Sequence, residues 1–424
     1  MSNRVVHVAP AVVPVAGPPI SQGAITVEAG RIVAIGREVV LVPASPDARV
    51  VAWDGVLVPG MVNAHTHLQY TSFAAVGAQP HPSYVAWSER FVTEYEGRRA
   101  EDWGATARQG VELGLSTGTT CFADVVTDIG ALDALADMGV AGVSYLELIG
   151  VDDNAWEDRV RARVVDTLRR AHHSTHARIG LSPHAPYSVD EPVLAKAADL
   201  AREERVRLHI HLAESDSEDS YYRNGTGALA ERVTLRVGRP WSILARGGTG
   251  MGAAEFASAC GLLGTDSHVA HGVYLGPEGR AILRSAGTYV ALCPRSNLTV
   301  GIDPPPIADF LTEDSPIAVG TDSLGSNTSL DLLQDVALLR ELAVGGGYDR
   351  TDLDRRLLEA ATLGGATAIG LDSDLGTLEP GKRADIAVFG VDPEISEVER
   401  RIVEDGAGNC LATLVAGEIR WKAE

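Results

Sequence analysis

Short apolar runs alternate with longer amphipathic segments through most of the chain. Segments with helical spacing, such as "DEPVLAKAADLAREERV" and "SLDLLQDVALLRELA", separate or follow eight runs of strand length. In chain order the runs are "VLVPGMVNAHTH", "TTCFADV", "GVAGVSYLELIG", "ARIGLSPHAP", "VRLHIHLAE", "SHVAHGVYL", "TYVALCPRSN" and "PIAVGTDS". Repeated βα units in this number predict an α/β fold, a TIM-like (β/α)8 barrel, with functional side chains at the C-terminal ends of its strands.

The two ends of the chain have a residue pattern that differs from the alternating strands and helices of the middle. "GAITVEAGRIVAIG" alternates apolar and polar residues around an Ala-Gly turn, which indicates a β-hairpin. "KRADIAVFG" and "LATLVAGEIRW", near the other end, are also strand-like and bounded by glycine. We therefore predict that residues 1–55 and 381–424 pair into a small β-sandwich side domain, and that residues 56–380 form the barrel.

Composition narrows the class of protein. A chain of 424 residues can bury a large core, and its net charge of -21 makes nucleic acid or an anionic membrane surface an unfavourable partner. No apolar run approaches the roughly 20 residues of a membrane span, and the N-terminus lacks the pattern of a signal peptide, so a cytoplasmic protein is expected. The four cysteines lie far apart without a CxxC pair, so neither a disulfide framework nor a thiolate zinc site is indicated.

Candidate ligands follow from the alternation of side chains along a strand. His65 and His67 share one face at the end of the first predicted barrel strand, and His211 faces the barrel interior on the fifth. Glu214 follows the fifth strand, and Asp322 lies inward at the end of the eighth. A lone histidine on a strand is more often a hydrogen-bonded core residue, but the ordered set is not expected by chance. Imidazole and carboxylate suit zinc or iron, so we predict a metal site formed by His65, His67, His211 and Asp322.

Two further strands carry histidines whose roles are less sharply defined. On the sixth strand His271 shares its phase with Val269 and Val273, so we favour His271 as the functional residue and assign His268 to packing or to support. His184 follows small inward residues of the fourth strand and is a candidate for substrate contact. The cluster "AHHSTHAR", with His172, His173 and His176, is interpreted as a solvated helix end.

Taken together, the motifs resemble those of the amidohydrolase superfamily, and in particular its adenosine-type deaminase and chlorohydrolase branch. The resemblance spans nearly the whole chain and rests on "PGMVNAHTHL", "GTT", "SPHAPYSV", "HIHLAES", "HGVYL", "CPRSN", "GTDS" and "GTLEPGKRADIAVF". It implies a barrel with a mononuclear metal site and a side domain built from both chain ends. The fourth strand contains no lysine, which favours one metal over two.

The resemblance also implies a hydrolytic mechanism. One divalent metal is expected, Zn²⁺ in the first place and Fe²⁺ as the alternative, which lowers the pKa of a water molecule from 15.7 to about 7. Asp322 would accept the proton of this water, and Glu214 would protonate the ring nitrogen beside the attacked carbon. His271 would orient the attacking oxygen and stabilise the tetrahedral adduct.

Within this branch the sequence is most similar to aminodeoxyfutalosine deaminases, which act on a 6-aminopurine nucleoside on the way to menaquinone. This similarity implies substrate contacts for Glu147, and Arg295 is a candidate for holding the substrate carboxylate or, with nearly equal weight, a structural ion pair. Gln69 stands where glutamate is expected, which leaves the nucleoside contact there open. Deamination of methylthioadenosine, adenosylhomocysteine or adenosine is the alternative, as is triazine dechlorination. A barrel that serves only as a binding scaffold would be expected to lack the ligand set. A small nucleoside is the expected partner, and a homodimer is left open.

Overall fold

The computed structural model describes residues 4–98, 100–170 and 177–424. In chain order its strands are β1 (Val5–Val12), β2 (Ile20–Glu28), β3 (Arg31–Arg37), β4 (Arg49–Ala52), β5 (Val56–Pro59), β6 (Met61–Thr66), β7 (Thr119–Val126), β8 (Ala141–Glu147), β9 (Ala177–Ser182), β10 (Leu208–Leu212), β11 (Ser267–His271), β12 (Tyr289–Leu292), β13 (Ile317–Val319), β14 (Ile386–Phe389), β15 (Cys410–Val415) and β16 (Glu418–Lys422). The segment with His172, His173 and His176 lies outside the described residues.

The helices surround and cap these strands. They are α1 (Glu38–Leu41), α2 (Ala74–Gly77), α3 (Tyr84–Gly97), α4 (Trp103–Leu115), α5 (Ala134–Asp137), α6 (Asp153–Ala155), α7 (Arg161–Arg170), α8 (Glu191–Glu203), α9 (Ser217–Asn224), α10 (Ala228–Val237), α11 (Ser242–Ala245), α12 (Ala253–Ala259), α13 (Pro277–Ala286), α14 (Pro294–Thr299), α15 (Ile307–Thr312), α16 (Leu332–Gly345), α17 (Leu353–Glu359), α18 (Gly365–Ala368) and α19 (Val398–Asp405). In the described part of the chain, no helix is long and apolar enough to cross a membrane.

Strands β6 to β13 form the barrel. Each strand pairs in parallel with the next in chain order, from β6 through to β13. The two outermost strands approach each other where Thr66 pairs with Asp322 and the Asp322 N–H donates to the His65 carbonyl at 2.9 Å. This contact closes the barrel at the C-terminal ends of its strands. The predicted (β/α)8 fold is therefore confirmed.

The first predicted barrel strand is two strands in the structure. Its initial residues form β5, which pairs with β1 and β14 outside the barrel, and the barrel strand β6 begins after Gly60. A Cβ atom at position 60 would clash with the side chain of Thr120, so the close approach here requires glycine. The apolar run continues through the break because both strands are fully buried.

Alternation along β10 orients its histidines as predicted. Leu208, Ile210 and Leu212 are buried in the main hydrophobic core, which also contains the apolar face of α8. His209 and His211 therefore face the barrel interior, where both contact other histidine rings. Because successive side chains of a strand point to opposite faces, the leucines of β10 point outward and its histidines point inward.

Strand β11 departs from simple alternation at its last residue. Val269 lies in the outer core, whereas His268 stacks on the ring of His209 inside the barrel, with ring centroids 4.0 Å apart. Alternation alone would turn His271 outward, but its φ of 74° redirects the chain and brings this side chain inside as well. The prediction of His271 by phase with Val269 was therefore wrong in its reasoning, although His271 does lie in the cluster.

The chain ends form a second, mixed sheet. Its strand order is β16-β15-β14-β5-β1-β2-β3, with β4 pairing in parallel to β1. The predicted hairpin is β2 and β3, joined by Ala29 and Gly30 with φ of 50° and 76°. The sheet folds around one apolar core that joins residues of β2 and β3 to residues of β14 and β15.

A buried ion pair lies between this sheet and the barrel. Arg383 and Asp385 are 3.1 Å apart, and both side chains are almost completely buried. Asp385 accepts the N–H of Ala416 at 2.7 Å within the end sheet. Arg383 donates to the carbonyl of Gly139 at 3.2 Å, directly before β8 of the barrel. The pair therefore connects the two parts of the molecule.

All four cysteines are buried and free. Cys121 lies in β7, Cys293 directly follows β12, Cys260 follows α12, and Cys410 begins β15. Burial raises the pKa of each thiol.

Candidate active site

The predicted metal ligands converge at the C-terminal mouth of the barrel. Potential ligand atoms of His65, His67 and His211 lie within 4.8 Å of one another, and so do those of His65, His271 and Asp322. These residues come from the ends of β6, β10, β11 and β13, which are distant in the sequence. The barrel thus gathers four imidazoles and one carboxylate into a single buried cluster.

Hydrogen bonds determine which nitrogen of His65 is free. His209 Nδ1 lies 3.1 Å from the carbonyl of His268, and because a carbonyl only accepts, this nitrogen carries the hydrogen. Burial lowers the pKa of His209, so the ring is neutral and its Nε2 is an acceptor. His65 Nδ1, 2.7 Å away, must then donate to it. The lone pair of His65 is consequently on Nε2, the nitrogen that faces Asp322.

Two other imidazoles are oriented in the same way. His211 Nδ1 lies 3.0 Å from the carbonyl of His184, so it donates and leaves Nε2, which lies 3.2 Å from Nε2 of His67, as the acceptor. His271 Nδ1 lies 3.0 Å from Oδ1 of Asn297. Burial lowers the pKa of both His211 and His271. Neutral rings with fixed tautomers present metal-binding lone pairs without further rearrangement.

Asp322 offers one oxygen to the histidines and uses the other to hold its position. Its Oδ2 accepts the hydroxyls of Ser296 and Ser326, each at 2.7 Å. Its Oδ1 lies 3.6 Å from Nε2 of both His65 and His67. Burial alone would raise the pKa of Asp322, but the neighbouring histidines and the two hydroxyls outweigh it and lower the pKa. The carboxylate is therefore ionised.

The donor set fits one divalent metal ion. Nε2 of His65 and Nε2 of His271 are buried without a hydrogen-bond partner among the described residues. Buried polar atoms are normally paired, so such orphans facing a carboxylate oxygen are expected where a metal binds. Neutral imidazoles with one carboxylate are a donor set that zinc accepts. His65, His67, His211 and Asp322 would hold the ion, with His271 beside them.

Glu214 lies at the edge of this cluster. Its Oε1 is 3.7 Å from Nε2 of His271, and burial raises the pKa of Glu214 to about 7. Glu218 holds the chain in place here, since it accepts the N–H groups of Ala213, Glu214 and Ser215 at 2.9, 2.7 and 3.2 Å. A carboxylic acid with a pKa near neutrality can both donate and accept a proton.

Glu218 is a positioning residue that the sequence analysis missed. The three N–H groups that it binds follow β10, where Ala213 adopts a φ of 52°. Such a left-handed turn is costly for a residue other than glycine unless its surroundings hold it. The available signal was an acidic residue four positions after Glu214 at the start of α9, a spacing shared by many exposed helices.

A cavity of about 870 Å³ opens above the cluster. His67, His211, Glu214 and Asp322 lie on its floor, and Glu147 and His184 are also among the residues that line it. Several aromatic side chains lie in the walls, among them Tyr70, Tyr84, Trp87, Phe91, Tyr95, Tyr187 and Trp241. The volume is in the upper part of the roughly 300–1,000 Å³ typical of small-molecule sites.

Glu147 and His184, the two candidates for substrate contact, both lie in the cavity wall. His184 Nε2 lies 4.0 Å from Oε1 of Glu147, whose Oε2 accepts the hydroxyl of Thr127 at 2.6 Å. His184 Nδ1 lies 2.7 Å from the hydroxyl of Ser188. Burial raises the pKa of Glu147 to about 7. These contacts leave both side chains in reach of a ligand in the cavity.

The structure gives no support to a direct substrate contact by Gln69. Gln69 is completely buried and is not among the cavity-lining residues. Its side-chain oxygen accepts the N–H groups of Thr127 and Asp128, both at 3.1 Å. Gln69 therefore orders the loop after β7, next to Glu147.

Arg295 is also absent from the cavity lining, which corrects its preferred role. Its guanidinium donates to the hydroxyl of Thr328 and lies 3.9 Å from the fully buried carboxylate of Asp335. The backbone N–H of Arg295 donates to the same carboxylate at 3.2 Å. Of the two interpretations, the structure agrees with the structural ion pair, because α14 turns Arg295 towards α16.

The chain was compared with known protein families and proteins. The amidohydrolase family profile matches residues 56–420. A 5-methylthioadenosine/S-adenosylhomocysteine deaminase of Moorella thermoacetica is 32% identical over 417 residues, which cover 95% of this chain and 90% of that protein. All of the barrel and most of the end sheet lie within these matches.

Two solved structures share the fold. The aminofutalosine deaminase of Helicobacter pylori in complex with methylthio-coformycin superposes with a TM-score of 0.84 at 21% identity, covering 98% of this chain and all of that one. An adenosine deaminase of Xanthomonas campestris with bound zinc gives a TM-score of 0.79 at 23% identity, covering 99% and 93% of the two chains. Their likeness extends across both the barrel and the sheet formed by the chain ends.

Proposed function

The chain belongs to the amidohydrolase family, and from this premise we propose that it hydrolyses the 6-amino group of aminodeoxyfutalosine, giving futalosine and ammonia. The broader activity, hydrolytic deamination of the adenosine type, follows from its family and from the relatives described above. The observation that carries the proposed chemistry is the position of the buried Glu214, whose Oε1 lies 3.7 Å from Nε2 of His271 beside the cluster; burial raises its pKa to about 7. The reaction would belong to menaquinone biosynthesis in the cytoplasm.

The reaction requires one proton donor and one proton acceptor close to the reacting carbon. Water adds to C6 of the purine, the bond from C6 to the amino nitrogen breaks, and the product carries a carbonyl at C6 and a hydrogen on N1. Glu214 in its protonated form donates to N1, takes up the remaining proton of the added hydroxyl as the C6 carbonyl forms, and passes that proton to the departing amino group, which leaves as ammonia. The other water proton goes to Asp322, and its return to Glu214 restores both carboxyl groups. The ionised Oδ1 of Asp322 accepts a proton from the attacking water.

A metal completes this arrangement. We propose Zn²⁺, with Fe²⁺ as the alternative, held by His65, His67, His211 and Asp322. The bound ion would act as a Lewis acid and lower the pKa of water towards neutrality. His271, whose ring is held by Asn297, would orient the attacking oxygen and stabilise charge on it.

The size and lining of the cavity support a nucleoside with a large substituent. Aromatic walls suit a purine and a second ring, and Glu147 and His184 provide polar contacts along the same cavity. Aminodeoxyfutalosine combines an adenine, a ribose and a distal benzoate, and therefore uses more of this volume than adenosine. Deamination of 5-methylthioadenosine or S-adenosylhomocysteine is the second candidate, because the Moorella thermoacetica relative is named for it.

Ammonia release by zinc-loaded enzyme tests the proposal. Aminodeoxyfutalosine, methylthioadenosine, S-adenosylhomocysteine and adenosine should be compared by kcat/KM under identical conditions. We expect aminodeoxyfutalosine to exceed each of the others by at least about tenfold, which corresponds to roughly 1.4 kcal/mol of transition-state discrimination. A higher kcat/KM for methylthioadenosine or S-adenosylhomocysteine would assign the chain to the second candidate.

A further inference from the structure

Helix α10 turns one face towards the outer part of the cavity. The cavity-lining residues of this helix are Ala228, Leu229, Arg232, Val233, Arg236 and Val237. Arg232 and Arg236 are one helical turn apart, so their guanidinium groups lie on the same side. Arg232 is partly buried and Arg236 is exposed, so a ligand in the cavity can reach both guanidinium groups.

Neither arginine is neutralised by a carboxylate. In the described part of the chain, no ion pair involves Arg232 or Arg236, and the only hydrogen bond recorded for them runs from Arg232 to the hydroxyl of Ser88 on α3. Other arginines nearby are paired, since Arg239 contacts Asp152 at 2.6 Å and Arg246 contacts Glu191 at 2.8 Å. Two adjacent cations without a carboxylate partner among the described residues therefore line the cavity.

The two charges act on the substrate cavity itself. His184 lines the cavity beside the cluster, with its ring centroid 4.6 Å from that of His211. Tyr187 lines the same cavity; burial raises the pKa of its hydroxyl, and the charge of Arg232 opposes this rise. His184 and Tyr187 line the cavity between the metal-binding cluster and α10. A ligand with its reacting ring at the cluster would therefore extend towards the arginines.

We propose that Arg232 and Arg236 form a subsite for a carboxylate at the far end of the 5′ substituent of the nucleoside. This inference rests on the proposed function, because it requires the purine to bind with C6 at the cluster. A guanidinium binds a carboxylate through two parallel hydrogen bonds, and the aromatic side chains of α3 would cover the ring that carries it. The subsite selects substrates with an anionic terminus over those that end in a methyl group or a hydroxyl.

The chemistry of the terminus distinguishes two sources of the carboxylate. The benzoate of aminodeoxyfutalosine is purely anionic, whereas the amino acid end of S-adenosylhomocysteine carries an ammonium group as well. Two unpaired arginines would repel this ammonium, so the benzoate is the better match. Methylthioadenosine has no terminal charge and gains nothing from the subsite.

The test compares four glutamine variants on charged and neutral substrates. Arg232→Gln, Arg236→Gln and the double variant remove one or both charges, and Arg246→Gln is the matched control for loss of a paired, exposed arginine outside the cavity. KM and kcat are measured with aminodeoxyfutalosine, its methyl ester, S-adenosylhomocysteine and methylthioadenosine. In the double variant the preference for aminodeoxyfutalosine over its ester should fall by roughly 10- to 100-fold, mainly through KM. Arg246→Gln should retain the preference of the wild type.

The outcomes separate this inference from the proposed function. If the wild-type enzyme prefers aminodeoxyfutalosine and the double variant keeps that preference over the ester, the subsite is wrong and the function stands. If the wild type prefers S-adenosylhomocysteine and the double variant loses that preference, the carboxylate subsite stands and the proposed substrate is wrong. An equal loss on all four substrates would identify the arginines as structural. Arg236→Lys should restore only part of the preference, since an ammonium cannot form the two parallel bonds.

Discussion

His209 has a defined task at the scale of single residues, because its Nε2 receives the hydrogen of His65 and leaves the other nitrogen of His65 free for a metal. Replacement of His209 by leucine removes this acceptor while keeping a side chain of buried, apolar character. We expect metal affinity to fall by roughly 10- to 100-fold, as is typical when a partner of a metal ligand is lost. Competition with a chromogenic zinc chelator measures the change.

The variant His209→Gln provides the control for this prediction, because an amide oxygen can still accept a hydrogen bond from His65. It should bind zinc more tightly than His209→Leu. Equal affinity of both variants with the wild type would show that the tautomer of His65 does not depend on His209.

Glu214 tests the assignment of the proton donor. Glu214→Gln keeps the size and the backbone contacts to Glu218 but cannot deliver a proton, so kcat should fall by about 10²- to 10⁴-fold. Metal content, measured by elemental analysis, should stay at the wild-type level. A parallel loss of metal and activity would make Glu214 a ligand instead.

Local sequence patterns were informative about the residues near strand ends, but only where alternation persists. The pairs of histidines two apart in β6 and β10 could be placed inside the barrel from the period of two. The inward turn of His271 depends on a left-handed backbone conformation that alternation does not reveal. Gln69 and Arg295 were placed by analogy, and their actual partners, the N–H groups of Thr127 and Asp128 and the carboxylate of Asp335, lie far away in the sequence.

At the scale of elements, the closure of the barrel depends on a close approach of β13 to β6. A Cβ atom at Gly320 would lie 2.7 Å from Cβ of His65 and 2.9 Å from Sγ of Cys293. Gly320→Ala should therefore push the end of β6 outward, lowering both zinc content and the thermal midpoint. Elemental analysis and thermal unfolding of the purified variant measure the two effects.

Gly345→Ala is the matched control for this substitution. Gly345 is the last residue of α16, and nothing lies within 4 Å of a Cβ built there. This change should leave zinc content unaltered and be neutral or stabilise the fold by about 0.4–1 kcal/mol. If Gly320→Ala also left zinc content and thermal stability unchanged, the close approach of β13 to β6 would not be needed for metal binding or stability.

Elements with a regular pattern of apolar and polar residues could be predicted from the sequence. Boundaries that depend on which sheet a strand joins in the folded protein could not. The hairpin of β2 and β3 and the parallel strands β7 to β13 followed from alternation, apolar runs and turn residues. The division between β5 and β6 could not be read from an uninterrupted apolar run, because burial in two different sheets leaves the same signature. The contributions of α3 and α10 to one cavity depend on loops that meet only in the folded barrel.

At the scale of the whole molecule, the Arg383–Asp385 pair joins the end sheet to the barrel. Asp385→Ala would leave a buried guanidinium without its partner, and we expect it to lower the free energy of unfolding by about 3–5 kcal/mol. Denaturant titration followed by circular dichroism measures this loss. The double variant Arg383→Met/Asp385→Leu should recover much of the stability, since both charges are then removed together. A mild effect of Asp385→Ala would mean that the junction is held by apolar packing alone.

The burial of all four thiols has a practical consequence for following how this molecule opens. Alkylating reagents attack the thiolate, and none of the cysteines is available to them while its surroundings stay closed. Cys293 is enclosed at the closure of the barrel, and Cys410 is enclosed in the end sheet. Peptide mass spectrometry can measure the alkylation rates of Cys293 and Cys410 separately. The two rates should be equal if the barrel and the end sheet unfold as one unit, and should differ if either part opens first.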